Sequence, residues 1–203
     1  MKKKELEIFL QSIPDFKKPK ANLEQYVTSA NIVADIIFIA FQMGDIEDKI
    51  VLDLGCGTGI FSAGAYITGA KKVIGIDLDD EAIKTAIKFA EENKLNIDFV
   101  VKDIEDTDII CDTVFMNPPF GAQKSNLNAD RKFIEKAFEN AKVIYSLHLT
   151  KTIPFIEKMV SALEGSIDFT KNYEFPIKHS HFFHAKKVVF FEVSLIRILT
   201  KVN

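Results

Sequence analysis

From residue 49 onward, short apolar runs of strand length alternate with stretches whose apolar residues recur at helical spacing. Residues 49–54 read as a strand entering the turn Gly55-Cys-Gly-Thr-Gly59, and the helix after it should reach Thr68 and stop at Gly69. A second strand spans 72–77, and Asp79 or Asp80 can cap the helix that ends near Asn93. Two more strands are expected over 97–101 and 113–116. A helix over 130–141, a strand over 142–147 and a helix over 152–163 with Gly165 as its stop should follow. This alternation predicts an α/β fold, a mostly parallel sheet with helices on both faces. The C-terminal stretch breaks it. Residues 166–175 and 187–199 are both strand-like with no helix between them, so they should form an antiparallel hairpin at one edge. Ahead of the sheet, helices are expected over 3–11 and 29–43, the second with Ile32, Ile36, Ile39 and Ala40 on one face and Gly44 at its end. No repeat or linker divides residues 1–203, which read as one domain.

At 203 residues, 47% hydrophobic and 27% charged, the chain can bury a full core without staples, which excludes disordered and disulfide-built classes. Cys56 and Cys111 lack a C-x-x-C partner, as expected of a reduced, cytoplasmic protein. Glu5 and Glu7 break the apolar run after the lysine-rich start, so no signal peptide is read there. The longest apolar stretch, 32–41, contains Asp35 and is too short to span a bilayer. The net charge of −3 gives no global attraction to polyanions. Lysines nevertheless cluster at Lys17, Lys18 and Lys20, and again at Lys171, Lys178, Lys186 and Lys187. With only Arg131 and Arg197 present, phosphate contacts would fall to lysine.

The candidate chemistry sits at strand ends. Asp53-Leu-Gly-Cys-Gly-Thr-Gly59 has glycine at alternate positions, which allows positive φ and close approach of a ligand to the backbone. It departs from the dinucleotide pattern G-x-G-x-x-G, because Ile60 stands where the third glycine would be. Asp77, ending the next strand, can accept from both hydroxyls of a ribose, and Asp103, after the third, from an adenine amino group. Loop, ribose acid and base acid in this order point to S-adenosylmethionine as cofactor. Asn117-Pro-Pro-Phe120 follows the fourth strand. Its prolines stiffen the segment and donate no hydrogen bonds, so the Asn117 side-chain oxygen and the Pro118 carbonyl can each accept one N–H of a planar amine. Phe120 can stack on the base that carries it.

These residues resemble the class I S-adenosylmethionine-dependent methyltransferases with an N-P-P-F motif, which are Rossmann-like. More narrowly they resemble the ribosomal-RNA adenine N6 group typified by methyltransferase-like protein five and its archaeal relatives. The likeness includes Lys18-Pro-Lys20, Glu24-Gln-Tyr-Val-Thr28, Met116-Asn-Pro-Pro-Phe-Gly121, Tyr145-Ser-Leu-His148 and Glu192-Val-Ser-Leu-Ile-Arg197. Val27 replaces the proline familiar in the second of these, and Ala185 interrupts a more basic family stretch. The resemblance implies a seven-stranded sheet with an antiparallel final strand, over which residues 1–48 form a helical cap and cofactor lid on a core of 49–203. It implies cofactor contacts from Gln25 and Thr28 at the methionine end, and from Asp53, Gly55, Gly57, Thr58 and Gly59 in the first loop. Asp77, Leu78, Asp103, Ile104 and Asn117 complete the set, and Asn117, Pro118, Pro119 and Phe120 are the catalytic motif. Thr28 or Ser29 can also cap the following helix.

The expected reaction is methylation of the N6 amine of an adenosine in structured RNA, with ribosomal RNA as the substrate. A protein-glutamine methyltransferase is the alternative, since a glutamine amide presents the same planar NH₂. Those enzymes favour tyrosine at the position of Phe120 and carry a separate helical domain for which 203 residues leave no room. Methylation of adenine in DNA or of guanine N2 in RNA ranks third. His179, His181 and His184 lack cysteine or carboxylate companions at ligand spacing, so no metal site is expected and an RNA-touching loop is preferred. His148 reads as a satisfied strand-end histidine. The implied strand order leaves 97–101 at a sheet edge with Phe99, Val100 and Val101 in succession. The resemblance implies that a small zinc-binding activator protein covers this edge by strand addition.

Overall fold

Successive strand residues point to opposite faces of a sheet, and here the two faces bury two separate cores. The computed structural model describes residues 2–20, 23–26, 28–120, 129–178 and 188–201. In chain order the elements are α1 (Lys3–Leu10), α2 (Ala30–Gln42), β1 (Ile50–Leu54), α3 (Ile60–Ile67), β2 (Lys72–Asp77), α4 (Asp80–Glu92) and β3 (Asp98–Val101). They continue as β4 (Cys111–Met116), α5 (Ala129–Asn140), β5 (Ala141–Leu149), α6 (Ile153–Ala162), β6 (Ser166–Lys178) and β7 (Val188–Leu199). One seven-stranded sheet runs in the order β3-β2-β1-β4-β5-β7-β6, parallel except that β7 is antiparallel to both its neighbours. The fold class read from the alternation is present, hairpin included. No helix among the described residues is long and apolar enough to cross a membrane.

Val51, Val73, Phe115 and Tyr145 bury one face under α1, α2 and α3, while Leu52, Ile76, Val114 and Ile144 bury the other under α5 and α6. Element ends agree with the sequence reading to within a few residues. The largest difference is in β6, which runs on to Lys178 because β7 pairs with it along its length. β3 lies at the sheet edge, as the implied order had it. Of its apolar side chains only Val100 and Val101 are exposed; the Phe99 ring fills the space above Gly59 and Gly75, where a Cβ would meet it at 2.8 and 2.6 Å. Two glycines make the hole that draws Phe99 inward.

One buried ionic network ties the hairpin to the rest. Arg197 on β7 donates through Nε to Asp45 Oδ2 (2.8 Å) and through Nη2 to Oδ1 (3.2 Å), and also contacts Asp168. Asp45 lies in the turn after α2, and its carboxylate also accepts the Tyr145 hydroxyl (2.6 Å). Burial and the Asp45 carboxylate together raise the Tyr145 pKa, so the phenol keeps its proton and donates.

Candidate active site

After β1 the chain winds towards β3, and after β4 towards β5, so a crevice opens at the C-terminal ends of β1 and β4. Leu54 and Met116 are register partners, which makes Gly55 and Asn117 leave adjacent strands side by side. Gly55, Gly57 and Gly59 all have left-handed backbone, with φ of 71°, 55° and 86°. That geometry is why the loop carries glycine at alternate positions, and it turns the chain into α3 with Gly59 at the N-cap. Thr58 is buried in the loop. Asp53 lies behind it, where Oδ2 accepts from the Ser62 backbone N–H (2.9 Å) and hydroxyl (2.6 Å). Burial pushes the Asp53 carboxyl up to about 7, and the neighbouring Asp77 charge adds to the shift. Asp53 is therefore a brace under the loop rather than a group facing the crevice.

Asp77 ends β2 beside the loop. Its Oδ2 accepts the Gly57 N–H at 2.7 Å and its Oδ1 the Asp79 N–H at 2.8 Å. Each oxygen thus keeps a further lone pair, the pair a vicinal diol requires. Burial raises the pKa of this carboxyl against the pull of those N–H groups. Leu78 follows with its side chain exposed, an apolar surface at the mouth of the crevice. Asp103 stands two residues beyond Val101, the register partner of Asp77, at the cap of the 3₁₀ turn Ile104–Asp106. One of its oxygens accepts the Glu105 N–H (3.0 Å), and half-buried Ile104 packs on the core under α5.

Asn117 and Pro119 are half-buried and Pro118 is buried. The Asn117 Nδ2 donates to Thr28 Oγ1 at 3.0 Å, while its Oδ1 is buried with no hydrogen-bond partner among the described residues. A buried acceptor left unpaired is costly, and such a group marks a place made for a donor. Thr28 is thereby part of the site rather than a cap. Ser29 takes the N-cap position of α2, without a side-chain capping bond. Phe120 is engaged by protein aromatics: its ring lies 5.2 Å from Tyr26 and 5.8 Å, edge-on, from Phe175, and its N–H donates to the Tyr26 hydroxyl (3.3 Å).

Described residues ahead of α2 also meet this crevice. The Phe16 ring lies over Gly57, where a Cβ would come within 2.7 Å of it. Gln25 Nε2 donates to Asp79 Oδ2 (2.7 Å), so its amide is directed at the cap of α4. Lys20 Nζ meets Asp79 Oδ1 at 2.6 Å, which removes it from the lysines free to face phosphate; Lys17 and Lys18 are exposed. The crevice therefore brings together the glycine loop, Asp77, Leu78, Thr28, Asn117 and Phe120. Asp53 sits behind it, and Gln25 is turned to Asp79. The sequence reading missed Phe16, Tyr26 and the role of Asp79. Tyr26 was discoverable, since it lies inside the quoted Glu24-to-Thr28 motif. His148 has both ring nitrogens placed, at 2.6 Å from Ser146 Oγ and 2.9 Å from Asp130 Oδ1, as a satisfied strand-end histidine should. Val27, Gly121, Ala185 and the His179–His181–His184 group lie outside the described residues.

Comparison with known proteins agrees with this geometry. The family model of the methyltransferase small domain matches residues 34–143. A Methanocaldococcus jannaschii protein without an assigned activity is 40% identical, over 98% of this chain and 94% of its own. The Danio rerio protein named rRNA N(6)-adenosine-methyltransferase METTL5 is 38% identical, over 97% of this chain and 98% of its own. The crystal structure of a candidate RNA methyltransferase from Pyrococcus horikoshii superposes with a TM-score of 0.91 at 38% identity, covering 100% of this chain and 99% of that one.

Proposed function

The chain belongs to the methyltransferase small domain family, and on that premise we propose that it methylates the N6 amine of an adenosine in structured ribosomal RNA, using S-adenosylmethionine. The observation that carries the reading is Asn117 Oδ1 at the end of β4, buried and without a hydrogen-bond partner among the described residues. When bound, the cofactor supplies an electrophilic methyl group on a sulfonium. Asp77 would hold its ribose diol with the lone pairs left by Gly57 and Asp79, and the glycine loop would lie against it. Asn117 Oδ1 and the Pro118 carbonyl would accept the two N–H bonds of the target amine. The Thr28 hydroxyl fixes the Asn117 amide from its other side. With both N–H directions set, the nitrogen lone pair is aimed, and catalysis is chiefly positioning. The amine proton can leave after the carbon–nitrogen bond forms, so no buried base is required.

Incubating the protein with ribosomal RNA and labelled S-adenosylmethionine, then analysing the nucleosides by mass spectrometry, should yield N6-methyladenosine. Label in glutamine of a protein substrate instead would favour the alternative reading. Asp77→Ala should weaken cofactor binding by about 1–3 kcal/mol, because charge-assisted bonds to the ribose are lost. Calorimetry showing parental affinity would remove Asp77 from the site.

Residues 1–203 read as one methyltransferase domain, with 1–48 as cap and lid, and the buried free thiols of Cys56 and Cys111 suit the cytoplasm. A small zinc-binding activator protein is the proposed partner at the β3 edge. Support comes from Val100 and Val101, 40% and 47% exposed beside an unpaired strand edge. Val100→Glu should abolish co-purification with the activator and leave cofactor affinity intact. Undiminished co-purification would place the partner elsewhere.

A further inference from the structure

The strap over the crevice is fastened at one point more firmly than elsewhere. Both carboxylate oxygens of Asp79 are taken by strap residues: Oδ1 by Lys20 Nζ at 2.6 Å and Oδ2 by Gln25 Nε2 at 2.7 Å. The strap residues also brace each other, since Gln25 Oε1 accepts the Lys20 backbone N–H at 2.8 Å. Asp79 is a rigid anchor. Its side chain is 3% exposed, it caps α4 through the Glu81 N–H, and its own N–H is bonded to Asp77 Oδ1. Burial alone would raise its pKa, but the Gln25 and Lys20 bonds outweigh that and hold the carboxyl below the usual range. On one side of this fastening the Phe16 ring covers Gly57, and on the other Tyr26 packs on Phe120. The described strap residues thus touch the first loop at Phe16 and the segment after β4 at Tyr26.

We propose that Lys20, Gln25 and Asp79 form a latch that holds this strap shut over the S-adenosylmethionine site, so that cofactor exchange waits on release of the latch. The inference rests on the cofactor reading above and goes beyond it. Lys20 is the replaceable part, because it is half-exposed and fastens the strap only through Asp79. An ion pair with one exposed partner weakens as salt rises, so the latch should loosen with ionic strength.

The test is the exchange rate of tritiated S-adenosylmethionine, chased with excess unlabelled S-adenosylhomocysteine, in parent, Lys20→Met and Lys20→Arg. At low salt Lys20→Met should release the label about tenfold faster than the parent, and the parent should approach the variant as salt is raised. Association should accelerate as well, so affinity changes less than either rate. Lys20→Arg, which keeps the charge, should restore slow exchange. Equal release rates for parent and Lys20→Met would overturn the latch. Faster release with unchanged association would also overturn it, since Lys20 would then be acting on the bound state alone. Failure of the parent to bind the label at all would overturn the cofactor assignment, and the latch with it.

Discussion

Asn117→Ala is expected to keep cofactor affinity and to lower turnover by about two orders of magnitude. The side chain has one bonded end and one open end: Nδ2 is fixed on Thr28, and Oδ1 is a buried acceptor with no partner among the described residues. Removing it takes away half of the acceptor pair that would orient the target amine, while Asp77 and the glycine loop are untouched. The loss should fall on kcat, because the amine's orientation matters most as the carbon–nitrogen bond forms. Thr28→Val should give a smaller loss of the same kind, since Asn117 would remain without its fixing bond. Single-turnover methylation, measured beside equilibrium cofactor binding, separates the two effects. Methylation at the parental rate by Asn117→Ala would end the mechanism proposed for Asn117 and Pro118.

Much of this site was legible because its requirements are local. Alternate glycines, an acid closing the next strand and a proline pair after the fourth are dictated by backbone geometry at single strand ends, and a linear reading can find them. The C-terminal hairpin was legible for a similar reason, since two strands in succession without a helix between them pair antiparallel, whereas the strand order came from the resemblance. What escaped depends on contacts across long separations. Lys20 reads as a surface charge until Asp79 is placed beside it, 59 residues away. Phe99 reads as one more apolar residue of an edge strand until Gly59 and Gly75 are seen to leave it a cavity. Phe120 reads as a free stacking face until Tyr26 and Phe175 close on it. Thr28 could serve equally as cap or ligand, and only the 3.0 Å approach of Asn117 Nδ2 decides between them.

Arg197→Met should destabilise the protein by about 3–5 kcal/mol, the cost of leaving a buried carboxylate without its cation. Asp45 and Arg197 have side chains only 9% and 12% exposed, so water replaces little of what is lost. The Tyr145 hydroxyl, 2.6 Å from Asp45, cannot compensate, because it donates one bond and carries no charge. Replacing both partners, in Asp45→Leu with Arg197→Met, should recover most of the loss, since no unpaired charge remains buried, and the Tyr145 hydroxyl, though it loses its carboxylate acceptor, keeps Met43 Sδ at 3.3 Å. Urea unfolding of the single and the double variant beside the parent measures this directly. A single variant within about 1 kcal/mol of the parent would make the network a surface-like pair of little weight. The consequence extends to the crevice. Arg197 holds β7, and β7 pairs along β6, which carries Phe175 against Tyr26 and Phe120. Loosening the hairpin should therefore weaken the aromatic cluster that supports the Asn117–Phe120 segment. Turnover of the folded Arg197→Met protein should fall before its cofactor affinity does.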